Sequence, residues 1–401
     1  MSGKEFEKTL KLTKYALLIS GIKTSENPVN KTVDYFVDHY LYYCNFIALY
    51  TVLIGEAYWI VDGIQNGTPF IEISLISPCI TISVLSTVKS WFIYLNKEIL
   101  IRVVSKLKDI HPNFDENEAE KSVGIAIERK IIKKSMKLLN SVQVLLLSIY
   151  VLVVTAFCLI PVMLSGYNYH KTGEFVVIYP YYVKYPFDVY HSSVWYLIYI
   201  HQVWATVIVI FFVFGCDTLF FALCVYINMH FHLLGLRFEN IVSKSKHETE
   251  RNLRKAIVRH QELIDLVDQS ELLFTKSSLF NIVMSSILIC LSAFNITVAN
   301  LMADVIAFIT FLLMSLSQIS MVCYFGDLLM NSSVEINKFI YNCPWYEADA
   351  DSKRTLFLVM MRSQKACRLT AWKFAVLNLG AFTTILSRSW SYFALLKTVY
   401  K

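Results

Sequence analysis

Long runs of apolar residues dominate this chain and alternate with shorter polar stretches. A helix that crosses a bilayer needs roughly 20 mostly apolar residues. Only helices and closed barrels satisfy their backbone hydrogen bonds inside a bilayer, and these runs are too long and too uniformly apolar for barrel strands. The pattern therefore predicts an all-α protein with seven transmembrane helices, at residues 37–61, 70–95, 138–165, 194–228, 277–302, 303–328 and 375–398.

Two polar stretches between these runs also show helical spacing. Between residues 229 and 276, apolar residues such as Leu253, Ile257 and Leu263 recur among charges. Residues 349–373 form a second amphipathic stretch, which Asp349 or Asp351 is placed to cap. We therefore expect helical extensions on the cytoplasmic side at 229–276 and 331–373. No repeat or long linker divides the chain, so residues 1–401 are predicted to form a single domain.

Composition supports one membrane domain rather than several soluble ones. Hydrophobic residues make up 56% of the chain and charged residues 17%, whereas soluble domains average about 45–50% and about 25%. The surrounding lipid is therefore the first expected partner. The nine cysteines fall in predicted membrane segments or on the cytoplasmic side, without metal-site spacing, so neither a disulfide framework nor a cofactor is expected.

The distribution of basic residues sets the predicted orientation. Thirty of the thirty-seven Lys and Arg residues lie in segments 1–36, 96–134, 229–276 and 327–373, which alternate along the chain with nearly uncharged loops. Basic loops favour the cytoplasm, so we expect a cytoplasmic N-terminus and an extracellular C-terminus. The net charge of +6 follows from this topology and indicates no nucleic-acid partner.

Seven membrane segments would first suggest a G-protein-coupled receptor, but this orientation is the reverse. The chain also lacks an Asp-Arg-Tyr sequence after the third span and an Asn-Pro-x-x-Tyr sequence in the seventh. A transporter would show repeat symmetry or helices broken by Gly and Pro. Only Pro78 and Pro161 interrupt spans here, and no nucleophile or zinc-ligand motif points to an enzyme.

The last seventy-odd residues carry a recognisable series. It comprises Ile340 to Tyr346 around Cys343-Pro344-Trp345, then Arg354, Met361, Ser363-Gln364-Lys365, Leu369 and Ala371, and finally Phe382 to Lys397. That series, in that order, resembles the C-terminal signature of insect odorant receptors. The resemblance implies an odorant-gated, non-selective cation channel that responds to a small hydrophobic volatile. It also implies a multi-pass protein in the plasma membrane of olfactory neuron dendrites.

Within that family the chain resembles a ligand-tuning subunit rather than the shared co-receptor. About 45 residues connect the fourth and fifth spans, a much shorter segment than the co-receptor has. The resemblance therefore implies a heterotetramer with the co-receptor, whose subunits meet through the cytoplasmic extensions as an anchor region. A gustatory-type channel of the same superfamily is the alternative, although its Thr-Tyr and Gln-Phe tail signature is absent.

The seventh span is expected to line the pore, over residues 375–399. Its hydroxyl groups and Arg388 would not face lipid and must face protein, water or both. Alignment to the family on Ser391-Tyr392-Phe393 places the gate at Leu395, Thr398 and Val399. These positions are spaced i, i+3 and i+4 and share one helix face. Packing against a neighbouring helix is the alternative role for this face. Of the charges in other spans, Lys89 and Asp217 are expected to stabilise packing.

The family resemblance also implies an apolar odorant cavity in the outer half of the membrane, between spans two, three, four and six. The predicted depth in the membrane is the only basis for assigning residues to this cavity. Ordinary core packing is the alternative role for each of them. The candidates are Phe70, Ile73, Ser77, Thr81, Phe157, Ile160, Tyr196, Tyr199, Ile200, Trp204, Phe308 and Phe311. The tyrosine-rich loop 166–193 would either cover the cavity or form an interfacial aromatic belt.

Overall fold

The computed structural model describes residues 2–24, 35–36, 40–112, 123–173, 176–187, 194–299 and 302–400. One antiparallel hairpin pairs β1 (Thr370–Ala371) with β2 (Ala375–Val376). A short 3-10 turn spans Trp345–Glu347. The remaining elements are helices: α1 (Ser2–Ile19), α2 (Tyr42–Gln65), α3 (Phe70–Ser74), α4 (Ser77–Leu95), α5 (Lys97–Ile110), α6 (Val123–Thr172), α7 (Trp195–Glu239), α8 (Lys246–Val298), α9 (Met302–Asn342), α10 (Ala350–Ser363) and α11 (Leu379–Val399).

The all-α prediction is confirmed, and helices cover most of the described part of each predicted span. Residues 37–39 and 300–301 of the first and fifth predicted spans lie outside the described residues. Among the described residues, six stretches are long and apolar enough to cross a membrane: Tyr42–Gln65, Phe70–Leu95, Gly124–Thr172, Trp195–Glu239, Lys246–Val298 and Asp304–Asn342. The seventh, α11, is more polar because serine, threonine and Arg388 interrupt its apolar residues. The orientation across the membrane stays a prediction.

The predicted 70–95 span is one apolar stretch of bilayer length, and it contains both α3 and α4, with Pro78 in the first turn of α4. Two other predicted boundaries are wrong. The amphipathic stretch 349–373 is helical only to Ser363, and β1 follows. The last helix begins at Leu379 rather than at 375, because the positive φ angles of Trp372 and Lys373 turn the chain back into β2. The side chain of Asn378 then caps α11 by accepting a hydrogen bond from the backbone N–H of Ala381.

The long helices exceed the bilayer. The 45 residues of α7 and the 53 of α8 correspond to about 68 Å and about 80 Å at 1.5 Å per residue, against a hydrocarbon core of roughly 30 Å. Residues 240–245 alone join the two helices. Their projecting parts overlap the predicted extension 229–276, whose location in the cytoplasm stays a prediction.

The helix α7 forms the centre of the molecule. Every residue from 212 to 231 is buried, and α7 packs against α1, α2, α4, α6, α8 and α9. At Gly235 the ring of Phe339 lies 2.3 Å from where a Cβ would stand, so the backbone of α7 directly contacts a side chain of α9.

The sequence did not predict α1. Its buried residues Phe6, Leu10 and Leu17 recur at helical spacing, but lysines lie between them.

A buried polar network connects four helices within the apolar centre. The ammonium group of Lys89 on α4 lies 2.6 Å from Oδ1 of Asp217 on α7, and both side chains are 5% exposed. The amide of Gln318 on α9 donates to Asp217 Oδ2 at 2.9 Å and to Asn281 Oδ1 on α8 at 3.0 Å. The two charges that the sequence assigned to packing therefore form one ion pair.

Candidate functional site

A cavity of about 820 Å³ lies between α6, α7, α9, the end of α2 and the loop 176–187. Small-molecule sites typically measure about 300–1,000 Å³ and are mostly apolar with a few placed polar groups. The helix walls are built from Trp59, Asp62, Val153, Ala156, Phe157, Ile160, Pro161, Leu164, Gln202, Asp304, Ile306, Ala307, Thr310 and Phe311. The spacing of Phe157, Ile160 and Leu164 along α6 turns one helix face toward this space.

The loop residues 176–187 cover this cavity, and we call them the lid. Residues from Val177 to Tyr185, together with Phe187, line it. The lid is held to the helices at several points. The backbone N–H of Lys184 donates to the Gly55 carbonyl at 3.1 Å, and its ammonium group lies 2.6 Å from an Asp62 oxygen. The hydroxyl of Tyr181 donates to the Gln202 carbonyl at 2.9 Å. For the described residues of the loop, this arrangement favours a lid over an aromatic belt.

The lid approaches α2 so closely that only glycine fits beneath it. A Cβ on Gly55 would stand 2.3 Å from Cγ1 of Val183 and 3.1 Å from the Lys184 carbonyl oxygen. Real Cβ atoms essentially never come that close to another heavy atom. Glycine at this position therefore lets the lid lie directly on the helix.

Three of the sequence candidates line the cavity, namely Phe157, Ile160 and Phe311. The rings of Phe157 and Phe311 meet edge to face with centroids 5.4 Å apart. These residues come from α6 and α9, and Gln202 adds α7, so the cavity joins three of the four spans expected from the family resemblance. Whether any of these residues binds a ligand stays a prediction.

The other candidates lie elsewhere. Phe308 is buried in the core, and the hydroxyl of Tyr199 is bonded to the Cys158 carbonyl. Four lie on α3 and α4, away from the cavity lining: Phe70, Ile73, Ser77 and Thr81. Three side chains of α7 point outward with about half or more of their surface exposed, namely Tyr196, Ile200 and Trp204. Depth in the membrane does not determine which face of α7 points toward the cavity, because this helix is apolar on every side.

The last helix presents most of its surface outward. Only Ile385 and Ser389 are buried in α11. Ile385 packs in a cluster with Ile289 of α8 and with Ile319 and Cys323 of α9. Of the predicted gate residues, Leu395 is 61% and Val399 is 64% exposed. Thr398 is also exposed, and its hydroxyl bonds only within the helix, to the carbonyls of Ala394 and Leu395.

The sequence and the described fold both match known proteins. A family model for the 7tm odorant receptors matches residues 70–389. The chain belongs to the odorant receptor family. The receptor is 26% identical to putative odorant receptor 92a of Drosophila melanogaster over 387 residues, which cover 94% of this chain and 91% of that one. It is 27% identical to odorant receptor 67c of the same species over 365 residues, 89% of this chain and 87% of the relative.

Solved structures show the same architecture. The receptor superposes on the insect olfactory receptor OR5 from Machilis hrabei, solved in complex with eugenol, with a TM-score of 0.81. The match covers 99% of both chains at 16% sequence identity, so it establishes the fold. The resemblance inferred from the C-terminal series is confirmed. The family is one of membrane-spanning olfactory receptors rather than enzymes, and the reported relatives are named as odorant receptors, not as a co-receptor.

Sequence reasoning missed several polar groups around the receptor's cavity. Asp62 and Gln202 line it directly. Glu56 and Thr206 border a second space of about 40 Å³ beside it, which shares Val153, Phe157, Tyr181 and Phe311 with the main cavity. One signal was present, because Glu56 is an ionisable residue inside an apolar run, and such residues are functional candidates by default.

Proposed function

We propose that this receptor is a subunit of an odorant-gated, non-selective cation channel. The observation that carries the proposal is the outward face of α11, which the chain itself leaves uncovered. Hydroxyl groups and Arg388 on that face suit neither lipid nor a dry core. A single helix cannot enclose a conduit, so the proposal requires several subunits whose α11 helices surround one pore.

The partner in this assembly is the odorant receptor co-receptor, in a heterotetramer. The segments 229–276 and 331–373 supply cytoplasmic contacts between subunits as an anchor region, and α11 crosses the membrane with its end outside. Leu395, Thr398 and Val399 form the gate near that end. A ring of such apolar side chains blocks ions by excluding water until the helices move. The channel lies in the plasma membrane of olfactory neuron dendrites.

The cavity beneath the lid binds the odorant. Its size and its aromatic and aliphatic walls suit a small hydrophobic volatile. The solved structure of OR5 with eugenol supports binding of an odorant by this fold. Access from the outside is governed by the lid, whose hydrogen bonds to α2 and α7 must loosen for the ligand to enter.

The helix α9 offers a physical connection between ligand and gate. Phe311 lines the cavity, and Ile319, two turns further along the same helix, packs with Ile385 of α11. A ligand opens the channel only if it binds the open state more tightly than the closed one. A shift or rotation of α9 on ligand binding would move α11 directly, because their side chains interlock.

Current recordings test the proposal. Cells expressing this chain with and without the co-receptor receive a panel of small hydrophobic odorants while membrane current is measured. We expect an odorant-evoked cation current only when both proteins are present. An evoked current that requires G-protein signalling, or a purified assembly that is a lone monomer, would contradict the proposal. Labelling of an N-terminal epitope on intact cells would contradict the topology.

A further inference from the structure

The carboxyl group of Glu56 is buried without a hydrogen-bond partner. Glu56 lies on α2, is 1% exposed, and neither of its oxygen atoms accepts a hydrogen bond from any described residue. Leaving a buried charged acceptor unpaired typically costs more than the roughly 1–3 kcal/mol of a neutral group. An unpaired buried carboxyl group lowers the stability of the fold. Its presence therefore makes Glu56 a candidate for a functional role rather than a structural one.

The space beside Glu56 is also lined by Cys79 and Ser83, but no described donor bonds to either Glu56 oxygen. Tyr181 and Thr206 border the same small space, but both hydroxyl groups donate to the backbone carbonyl of Gln202, each at 2.9 Å. The nearest lid cation, on Lys184, is bound to Asp62 at 2.6 Å. The side-chain oxygen of Gln202, which lines the main cavity, is also buried and unpartnered. This part of the molecule therefore contains two buried acceptors, the Glu56 carboxyl group and the Gln202 side-chain oxygen, that no described donor satisfies.

The two spaces differ in what they can hold. The main cavity, of about 820 Å³, is large enough for the body of a small molecule. The space beside Glu56, of about 40 Å³, holds only a group of a few atoms, since one water molecule needs roughly 10–15 Å³. They share the walls formed by Val153, Phe157, Tyr181 and Phe311. One molecule can therefore extend from the larger space into the smaller.

We propose that Glu56 binds the amino group of an apolar amine whose hydrocarbon body occupies the main cavity. This inference rests on the proposed odorant-binding function of that cavity. An ammonium group brings three donors and a positive charge to a carboxyl group that no described donor reaches. An alcohol of the same size brings one donor and no charge, and a hydrocarbon brings neither. The order of affinity is therefore amine, then alcohol, then hydrocarbon.

Three probes of nine non-hydrogen atoms test this order. They are 2-phenylethylamine, 2-phenylethanol and propylbenzene, and the measurement is binding to the purified full-length receptor in detergent at neutral pH. We expect the amine to bind about tenfold or more tightly than the alcohol, which is the range for a charge-assisted hydrogen bond. In Glu56→Gln this preference should fall to within about threefold, while affinity for propylbenzene stays unchanged.

Two further variants separate recognition from folding. Glu56→Leu removes the unpaired carboxyl group, and we expect its unliganded melting temperature to equal or exceed that of the native chain. Glu72→Gln changes an exposed glutamate on α3 and should leave the amine preference intact. Equal affinity for the three probes in the native chain overturns this inference alone. Failure of all three to bind overturns the odorant cavity as well, so the two failures are distinguishable.

Discussion

The helices α7 and α11 both overlap predicted membrane segments, yet they differ sharply in how far the chain itself buries them. In α7 every residue from 212 to 231 is buried within one subunit. In α11 only Ile385 and Ser389 are buried. The contacts of α7 are thus completed by its own chain, whereas most of the α11 surface is left for lipid, water or other subunits. We infer that α7 determines whether the receptor folds and that α11 contributes mainly after assembly.

The polar groups on the two helices differ in the same sense. Asp217 of α7 is bound by Lys89 and Gln318 at 2.6 and 2.9 Å, so its charge is neutralised inside the chain. Arg388 of α11 makes no ion pair with a described residue, and neighbouring hydroxyls such as Ser391 bond only to their own helix. Groups satisfied internally stabilise the chain, while groups without such partners are left to contact lipid, water or another protein.

The largest effect is expected where the polar network of α7 is broken. Lys89→Met leaves Asp217 with Gln318 but without a counter-charge in the apolar centre. Breaking a buried ion pair by removing one partner typically costs about 3–5 kcal/mol of folding free energy. We expect a steep loss of folded receptor, measured as the monodisperse fraction on size-exclusion chromatography and as the melting temperature.

An exposed pair provides the matched control. Lys106 and Asp265 are also 2.6 Å apart, but their side chains are 31% and 52% exposed. Surface pairs contribute about 0–1 kcal/mol, so Lys106→Met should change the melting temperature little. The double variant Lys89→Met with Asp217→Leu should recover most of the folded fraction, because both buried charges are gone. Equal losses from Lys89→Met and Lys106→Met would contradict the central role of α7.

A smaller effect is expected from filling the close contact between α7 and α9. In Gly235→Ala the added Cβ would meet the Phe339 ring at 2.3 Å, so the ring or the helix must shift. Overpacking of this kind costs about 1–3 kcal/mol. On α6, Gly166 has no heavy atom within 4 Å of the Cβ position. Gly166→Ala should therefore be neutral or slightly stabilising, since alanine favours helix by up to about 1 kcal/mol. A thermal melt of both variants compares them directly.

The same contrast explains what the sequence could predict. Apolar runs of bilayer length identify six of the seven predicted segments among the described residues, because the hydrocarbon core demands that composition and length. The sequence contains less information about which face of each helix points inward. On α7 the apolar residues surround the whole helix, so the outward Tyr196 and Trp204 could not be distinguished from inward residues. On α6, Phe157 and Ile160 line the cavity, and their role in ligand binding stays a prediction.

The features that the sequence did not predict depend on contacts between residues that are distant in the chain. The lid meets α2 through a hydrogen bond between residues 129 positions apart, Lys184 and Gly55. The hairpin before α11 is held by the backbone N–H of Trp372, which donates to the Thr275 carbonyl at 3.0 Å. Neither contact has a local signature, because turn geometry and tertiary hydrogen bonds decide both. The network of Lys89, Asp217 and Gln318 was visible only as isolated charges and an amide.

A modest effect is expected at the lid. Lys184→Met removes the ion pair with Asp62, whose partners are 37% and 33% exposed, and such pairs contribute at most about 1 kcal/mol. The melting temperature should therefore barely change, but a loosened lid should release ligand faster. Recordings of odorant-evoked current would show quicker decay after washout.

The control Lys171→Met alters an exposed lysine at the end of α6 and should leave the decay unchanged. A decay that is unchanged in Lys184→Met would argue that this pair does not hold the lid.

The smallest effect on folding is expected at the end of α11, where the effect on current should be clear. Leu395→Ala and Val399→Ala remove side chains that are 61% and 64% exposed within the subunit, so the melting temperature of the chain should not fall. Ile385→Ala, at a position 4% exposed, should cost about 2–5 kcal/mol instead.

If Leu395 and Val399 form the gate, their truncation widens the apolar constriction and raises basal or evoked current when the co-receptor is present. Co-receptor subunits in the same ring reduce the size of the change. Leu379→Ala, an exposed leucine at the opposite end of the helix, is the matched control for current. Unchanged gating and ion selectivity in both Leu395→Ala and Val399→Ala would remove this face of α11 from the pore and leave it as an ordinary packing surface.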